Sequence, residues 1–380
     1  MSRIGVYVHI PFCAGKCFYC NFYSLAGRDG LIPRYQEALL KQIGERRPLL
    51  SGYDIDTVYF GGGTPSHYGA SRLAGVLGAL TGHGNVLPGA EITVEANPES
   101  ATAEGLSQLR AAGFNRVSIG VQCADDGILA AIGRLHSFAD AVRAIGDARR
   151  AGFGNVSVDI IYGLPSQSLA SWADTVERVA ALGADHISCY GLKVEESTQL
   201  YDNIGDASLP DDDAQADMYL FAADALARYG YEHYEISNFA MPGFESRHNM
   251  RYWLGGEYMG FGPGAHSFMT RCRFSFVQDA AEYIRRAARG LSVVDRCEWV
   301  SDTESAAEYL MLRLRTARGI SEREYFDLFG FKFDFAFDLL RDYEKRGWAR
   351  YEAGRWRLTP GGFLISNVLI GNLLESTPQM

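Results

Sequence analysis

Short apolar runs alternate with helix-like segments along the first half of the chain. The runs are rich in β-branched and aromatic residues, and they lie at about 4–12, 57–60, 91–95, 116–122, 155–163 and 185–190. The segments between them carry apolar residues at helical spacing, and several of them end at a glycine. Strands that are buried on both faces of a parallel sheet are apolar throughout. The pattern therefore predicts six βα units on one parallel sheet.

The last part of the chain, from about residue 295, has a different pattern. Three helical segments come first, a hairpin with aromatic residues follows at 348–358, and a last helix comes after it. Helices followed by a two-stranded wing resemble a winged helix, whose common use is DNA binding. Residues 301–380, however, hold 11 basic and 12 acidic residues, whereas a DNA-reading domain is basic. We therefore expect this part to pack against the rest of the chain or to dock a partner.

These patterns divide the chain into three parts. Residues 1–240 hold the βα units, and residues 295–380 form the C-terminal domain. Between them, residues 241–294 are dense in glycine, aromatic residues and histidine. This middle segment is too irregular for a further βα unit, so we expect it to connect the two domains.

Composition and charge argue against several classes of protein. The 380 residues are 47% hydrophobic and 22% charged, which is typical of a globular protein with a full core. The net charge of −10 argues against a nucleic-acid partner, whose binding surface would be basic. Seven cysteines in a chain of this length do not make a disulfide scaffold. No leader segment and no run of ~18 apolar residues is visible, so we expect a cytoplasmic protein, with peripheral membrane contact left open.

Three of the cysteines, Cys13, Cys17 and Cys20, form a CxxxCxxC run near the start of the sequence. Thiolates this close in sequence can reach several irons of one iron–sulfur cluster. Four-iron clusters usually take four protein thiolates, so three would leave one iron open for a small-molecule ligand. A zinc knuckle and a redox pair are the alternatives, but the second Cys or His pair of a zinc site does not follow. The spacing therefore favours an iron–sulfur cluster of the kind found in enzyme sites.

The motif and its surroundings resemble a known family. CxxxCxxC with Tyr19 before its third cysteine resembles the signature of radical S-adenosylmethionine (SAM) proteins, and the stretch YVHIPFC at 7–13 resembles the opening of their HemN/HemW group. The resemblance implies a [4Fe-4S] cluster on the three cysteines, with SAM chelated to the open iron. It also implies an α/β fold: a partial (β/α)6 TIM-like barrel, open on one side, with a helical, winged-helix-like C-terminal domain of the HemN type.

Further residues match motifs that contact SAM in the HemN/HemW group. Most of them follow a predicted strand, where the active groups of such barrels gather. They are Tyr7, Tyr19, Gly62, Gly63, Thr64, Glu95, Gln122, Arg134 and Asp159. Glycines let a backbone approach a ligand closely, and an arginine can pair with a carboxylate. Taken singly, each polar residue could instead form a hydrogen bond or salt bridge at the barrel rim, and Tyr7 could pack in the core.

A second motif lies in the middle segment. The run His248-Asn-Met-Arg-Tyr252-Trp253 resembles the HNxxYW element of the heme chaperone branch of the group. Imidazole is a strong axial ligand of heme iron, and the tyrosine and tryptophan could pack against the macrocycle. His248 is the first candidate ligand and His266 is its rival, although His248 without the motif is more simply a hydrogen-bonded structural histidine. Two arginines could meet the heme propionates, namely Arg247 and Arg251.

The resemblance covers essentially the whole chain and implies a heme chaperone that holds a cluster, SAM and heme and delivers the heme to acceptor proteins. The sequence leaves open whether the protein turns over a substrate. The alternative is a catalytic radical enzyme of the HemN type, either a coproporphyrinogen III dehydrogenase or a methyltransferase. The dehydrogenases carry a further cysteine two residues after the third, where this chain has Phe22. A winged-helix regulator with a redox-sensing cluster is a third class, which the near-neutral C-terminal domain disfavours.

Overall fold

The computed structural model describes residues 1–203 and 208–377. Residues 204–207 and 378–380, which fall within the predicted domains 1–240 and 295–380, lie outside the described residues. Within the described part of the chain, no helix combines the length and the apolar character needed to cross a membrane.

The described residues form sixteen strands and seventeen α-helices. In chain order, strands β1 to β16 are Ser2–Ile10, Phe12–Cys13, Leu25–Ala26, Tyr53–Gly62, Asn85–Ala96, Arg116–Gln122, Asn155–Tyr162, His186–Gly191, Glu232–Glu235, Asn238–Ala240, Tyr258–Phe261, His266–Met269, Cys272–Phe276, Val294–Trp299, Ala349–Glu352 and Arg355–Leu358. In chain order, helices α1 to α17 are Ile32–Glu45, Arg47–Leu50, Pro65–Tyr68, Ala70–His83, Ala103–Ala111, Asp126–Ala131, Phe138–Arg150, Leu169–Ala180, Gln199–Asp202, Asp212–Arg228, Arg247–Trp253, Ala280–Ala288, Asp302–Arg313, Glu322–Phe329, Phe337–Lys345, Pro360–Leu364 and Ser366–Glu375.

Six parallel strands form the centre of the largest sheet. In spatial order they are β1, β4, β5, β6, β7 and β8, and each is parallel to its neighbours. Helices α1 to α8 connect them along the chain. The α/β fold that the six apolar runs predict is therefore confirmed. Among the described strands the sheet does not close on itself, because β14 and β9 form its two edges, which agrees with a partial barrel.

Alternate residues of the central strands face opposite sides of the sheet. In β1, the side chains of Ile4, Val6 and Val8 are fully buried in the hydrophobic core under the helices. Every second residue of β6, including Ser118 and Gln122, faces the inside of the barrel and lines a cavity there. This alternation brings polar side chains from neighbouring strands to the same interior surface.

The sheet is wider than the apolar runs predict. Strand β11 adds to the free edge of β1 in parallel, and β12 to β14 continue the sheet in antiparallel order. These strands come from residues 258–299, most of which were expected to connect two domains. Their buried side chains, among them Met259, Phe261 and Phe276, share the core of the parallel strands. Each strand has only four to six residues, too few for a clear period in the sequence.

At the opposite edge, β10 and β9 form an antiparallel pair next to β8. This pair meets the C-terminal part of the chain through backbone hydrogen bonds. The Ile236 amide donates to the Arg315 carbonyl over 2.9 Å, and the Ala317 amide donates to the Tyr234 carbonyl over 2.9 Å. The C-terminal domain is therefore attached to the edge of the barrel sheet.

The residues beyond 300 have a hydrophobic core of their own. Helices α13 to α17 and the β15–β16 hairpin surround buried side chains such as Leu310, Leu340 and Trp356. Tyr219 of α10 also packs in this core. The predicted order of three helices and a hairpin is confirmed, and two helices, α16 and α17, follow the hairpin in place of a single last helix.

Candidate functional site

A cavity of about 430 Å³ lies inside the barrel, towards the carboxyl ends of β4 to β8. The loop that carries the three cysteines forms one of its walls. Eleven of the residues that the sequence suggests for cluster or SAM binding line this cavity: Cys13, Cys17, Tyr19, Cys20, Gly62, Gly63, Thr64, Glu95, Gln122, Arg134 and Asp159. Tyr7 is not among the lining residues, and its hydroxyl forms a hydrogen bond of 3.0 Å with Nδ1 of His9.

Cys13 ends the short strand β2, and Cys17 and Cys20 lie on the loop between β2 and β3. Cys13 is buried, whereas Cys17 and Cys20 are half-buried. The Thr64 hydroxyl donates a hydrogen bond to Cys13 Sγ over 3.4 Å, and the Arg134 guanidinium donates to Cys17 Sγ over 3.5 Å. Burial raises the pKa of Cys13 and that of Cys20. These two thiols therefore need a bound metal or another positive charge to remain ionised at neutral pH.

The glycine turn after β4 lies against the cysteine loop. A Cβ atom on Gly63 would lie 2.9 Å from the carbonyl oxygens of Ile10 and Phe12. Gly62 has φ +115°, and a Cβ atom there would lie 2.5 Å from the His9 ring. Only glycine fits both positions without displacing the start of the cysteine loop. The turn thus leaves bare backbone facing the cavity.

Glu95 lies on the cavity wall beside this turn. The Tyr59 hydroxyl donates to Glu95 Oε1 over 2.7 Å, and the Gly62 amide donates to Glu95 Oε2 over 3.1 Å. Removal from water raises the pKa of Glu95 to about 7, and the nearby Asp159 adds to the increase. Glu95 is therefore close to half ionised at neutral pH, so a ligand with a hydrogen-bond donor or a positive charge can change its protonation.

Arg134 connects the two sides of the cavity mouth. Its Nη2 atom donates to Asn97 Oδ1 over 2.8 Å and to the Gly120 carbonyl over 2.9 Å, in addition to the contact with Cys17. Asn97 in turn donates from Nδ2 to the Thr64 hydroxyl over 3.1 Å. A chain of hydrogen bonds therefore runs from the thiol of Cys17 to that of Cys13, through three side chains that follow different strands and helices.

Asp159 and Gln122 occupy the remaining part of the mouth. The Ser118 hydroxyl lies 3.2 Å and 3.3 Å from the two carboxylate oxygens of Asp159, and burial raises the pKa of this carboxyl group. Gln122 ends β6 with φ +66°, a left-handed conformation that is uncommon for residues other than glycine. Such backbone strain is often found where a side chain is held for function.

His248 lies at the other end of the barrel, in helix α11. Its Nδ1 atom forms a hydrogen bond of 2.9 Å with the Thr57 hydroxyl, and its Nε2 atom forms one of 2.8 Å with the Tyr252 hydroxyl. The side chain is 1% exposed, and its ring stacks on Tyr59 with the centroids 5.2 Å apart. Burial lowers the pKa of His248 to about 3. Both ring nitrogens are engaged, so the geometry disagrees with the expectation that His248 presents a free nitrogen to iron.

The neighbours of His248 hold α11 against the sheet. Arg251 forms an ion pair with Asp56, and Arg247 donates from Nη1 to the Gly89 carbonyl over 2.9 Å. Both arginines are therefore engaged in contacts that anchor the helix, and Tyr252 and Trp253 are half-buried. His266, the rival ligand, is different because it is an exposed residue on β12.

Two family models match this chain. The model described as the radical SAM superfamily matches residues 7–179, and the model described as the HemN C-terminal domain matches residues 300–365. The heme chaperone HemW of Mycobacterium tuberculosis is 36% identical over 97% of this chain and 94% of its own length. The heme chaperone HemW of Bacillus subtilis is 34% identical over 97% of this chain and 99% of its own length. This chain belongs to the radical SAM superfamily, in its HemN/HemW group.

Two further comparisons concern a vertebrate relative and a solved structure. One relative is the radical S-adenosyl methionine domain-containing protein 1, mitochondrial, of Danio rerio. It is 36% identical to this chain, and the match covers 84% of this chain and 74% of the fish protein. The structure of coproporphyrinogen III oxidase (HemN) from Escherichia coli matches with a TM-score of 0.86 at 24% identity, over 99% of this chain and 90% of that chain. The second match confirms the fold.

Membership of the radical SAM superfamily implies a four-iron cluster and SAM, and the cysteine loop fits the cluster. Among the described residues, no three His, Cys, Asp or Glu side chains are arranged to hold one metal ion. The thiolates of a four-iron cluster bind different irons and do not need to converge on one point. Cys13, Cys17 and Cys20 meet this looser requirement, because all three line one wall of the cavity opposite polar groups of the strands.

Arg116 is a cavity residue that no motif of the sequence singles out. It begins β6, it is 2% exposed, and its Nε atom has no hydrogen-bond partner among the described residues. It lines the inner end of the cavity, and its charge interacts with the carboxyl groups of Glu91 and Asp159. A period of two in β6 places this residue on the same side as Gln122, so strand alternation was a signal that could have found it.

The buried contacts of His248 lead to a prediction about stability. Replacing His248 with alanine removes its two side-chain hydrogen bonds and leaves a cavity under Tyr59. We expect the His248→Ala variant to lose about 2–4 kcal/mol of unfolding free energy in urea denaturation. His266→Ala is the matched control, and its exposed position predicts a change within about 0.5 kcal/mol. Equal midpoints for His248→Ala and the wild type would show that the buried contacts do not stabilise the fold.

Proposed function

We propose that this protein is a HemW-like heme chaperone that binds a [4Fe-4S] cluster, SAM and heme, and delivers the heme to acceptor proteins. The observation that carries the proposal is the similarity, over 97% of the chain, to proteins named heme chaperone HemW. The cavity supports it, because the residues that resemble the cofactor-binding motifs of the group converge there.

The proposed cofactor site uses the two walls of the cavity. Cys13, Cys17 and Cys20 would hold the cluster, which would supply an open iron for chelation by the amino and carboxylate groups of SAM. Gly62 and Gly63 let the backbone approach that ligand, and the remaining candidates surround it: Tyr19, Thr64, Glu95, Gln122, Arg134 and Asp159. Hydrogen bonds to Asn97 and Gly120 fix the guanidinium of Arg134 in place. Its positive charge can therefore stabilise both the Cys17 thiolate and the carboxylate of the ligand. Tyr7 is proposed to act through His9 and Tyr59, which it contacts.

The heme is proposed to bind outside the cavity, with His266 as the axial ligand. Among the eight histidines, all of which are described, His266 is the exposed one. Its position on β12, next to the glycine-rich turn after β11, leaves an imidazole accessible to iron, and imidazole is a common axial ligand of heme. The HNxxYW helix then acts as a structural element that holds β4 and β5 beneath the cavity.

The proposed setting is a reducing cytoplasm, with a heme-acceptor protein as partner. All seven cysteines belong to the described part of the chain and are free thiols there, which fits such a compartment. The formal charge of −10 disfavours nucleic acid as a partner.

A catalytic radical enzyme is the second candidate, and one observation favours it. The cavity continues past the proposed SAM site to Arg116 and Asn249 at its inner end, which leaves polar groups for a substrate. In this alternative, SAM is cleaved, and 5′-deoxyadenosine appears when a porphyrinogen is added under reducing conditions.

Heme titration tests the chaperone proposal. Cluster-loaded wild-type protein, prepared without oxygen, is titrated with heme and followed through the Soret band. We expect saturable binding, and we expect His266→Ala to weaken it about tenfold or more, which corresponds to about 1.4 kcal/mol. Folded His248→Ala protein is expected to bind as the wild type does. Absence of saturable binding by the wild type would overturn the chaperone proposal, and loss of binding in His248→Ala alone would return the ligand role to His248.

The pKa of Glu95 predicts how SAM affinity depends on pH. An ionised carboxylate accepts hydrogen bonds from SAM more strongly than a protonated one. Because the pKa of Glu95 is raised to about 7, its ionised fraction increases about tenfold between pH 6 and pH 8, and SAM affinity should rise by a similar factor. The Glu95→Gln variant is the control, because its side chain does not titrate. Any pH dependence that remains in this variant comes from SAM or the cluster. Identical profiles for the two proteins, measured by equilibrium binding, would contradict the role of Glu95.

A further inference from the structure

Two cysteines outside the cluster motif lie next to each other at the edge of the sheet. Cys272 is on β13 and Cys297 is on β14, and their Sγ atoms are 2.8 Å apart. In the antiparallel pairing, Cys272 lies opposite Trp299 and Phe274 lies opposite Cys297. The two cysteines are therefore diagonal neighbours on the same face of the sheet.

The geometry suits a covalent bond between the two sulfurs. A disulfide bond joins sulfur atoms at about 2.05 Å, so these atoms need to approach by about 0.8 Å. Both residues lie on regular strands of one antiparallel pair, which keeps them adjacent. Sequence spacing gives no sign of this pair, because the two positions are far apart along the chain.

The pair is open to small molecules in solution. Cys297 is exposed and Cys272 is half-buried, whereas Cys123 and Cys189 are fully or almost fully buried. The hydrogen bond with Cys297 raises the pKa of Cys272, so Cys272 keeps its proton more firmly than an isolated thiol does. Cys297 is therefore the better placed of the two to react first with a reagent from solvent.

The pair also lies where the barrel meets the C-terminal domain. Strand β14 ends at Trp299, three residues before helix α13 begins at Asp302. Arg271, next to Cys272, forms an ion pair with Asp302, and Arg273 contacts Glu308 of α13 over 2.9 Å. A bond between the two cysteines would fix the strand that leads into this domain to the rest of the sheet.

We propose that Cys272 and Cys297 form a dithiol site that exchanges with low-molecular-weight disulfides of the glutathione class. The Cys297 thiolate attacks one sulfur of the small disulfide, the S–S bond of that molecule breaks, and one thiol leaves. The Cys272 thiolate then attacks Sγ of Cys297, which forms the bond within the chain and releases the second thiol. Two electrons pass from the protein to the small disulfide, and the protons of Cys272 and Cys297 end on the two released thiols.

The test is peptide mapping after equilibration with glutathione. Cluster-loaded protein is held without oxygen in buffers of increasing glutathione disulfide content, and free thiols are then alkylated under denaturing conditions. Cleavage after lysine and arginine leaves Cys272 in peptide 272–273 and Cys297 in peptide 297–313, and neither peptide holds another cysteine. We expect these two peptides to become joined in most chains, with the loss of two hydrogen atoms, and to separate again when reduced glutathione is added in excess.

Single variants supply the controls. In the Cys272→Ser variant, Cys297 can still attack glutathione disulfide, but no second thiol is present to displace the attached glutathione. Glutathione should therefore remain attached to Cys297. In Cys297→Ser, we expect at least fivefold less modification of Cys272 over the same time. The mapping reads the two peptides directly and does not depend on heme binding, so the chaperone proposal and this one can fail separately. Unlinked peptides at every buffer composition, or equal glutathione attachment at the two cysteines in the wild type, would overturn the proposal.

Discussion

A chain of hydrogen bonds at the mouth of the barrel holds the candidate site together. It runs from Cys17 through Arg134, Asn97 and Thr64 to Cys13, with donor–acceptor distances between 2.8 Å and 3.5 Å. Thr64 follows β4, Asn97 follows β5, and Arg134 follows α6. The relative positions of these elements therefore set the positions of two of the three thiols. The parallel sheet makes this possible, because the carboxyl ends of its strands meet at one rim.

The opposite end of the barrel is closed by a second set of buried contacts. Glu91 accepts hydrogen bonds from the first backbone amides of α11, at 3.1 Å from Arg247 N and 2.9 Å from His248 N. A carboxylate is stabilised at the N-terminus of a helix. Arg116 lies between this floor and Asp159, so the buried charges at the two ends of the cavity interact. The HNxxYW motif thereby contributes to the cavity through its position in the fold, with Asn249 reaching the cavity itself.

The amino-acid sequence reveals much of this arrangement, and physical reasons explain the rest. The six parallel strands are visible because burial on both faces makes them apolar throughout. The three cysteines are visible because of their CxxxCxxC spacing. The polar residues of the cavity are visible because they come at the ends of apolar runs or at glycine turns. Strands β11 to β14 are not visible, since they are short and owe their place to the free edge of β1. The orientation of His248 also lies beyond the sequence, because hydrogen bonds to Thr57 and Tyr252 form only once distant elements are packed together.

Electron paramagnetic resonance of the reconstituted protein tests the central claim, that the cysteine loop and the strand ends form one site for a cluster and SAM. We expect about four irons per chain and a reduced-cluster signal that changes when SAM is added. Cys17→Ala should lose the cluster, whereas Cys189→Ala, which alters a buried thiol outside the loop, should keep it. Binding of zinc in place of iron, or a cluster signal that does not respond to SAM, would contradict the account.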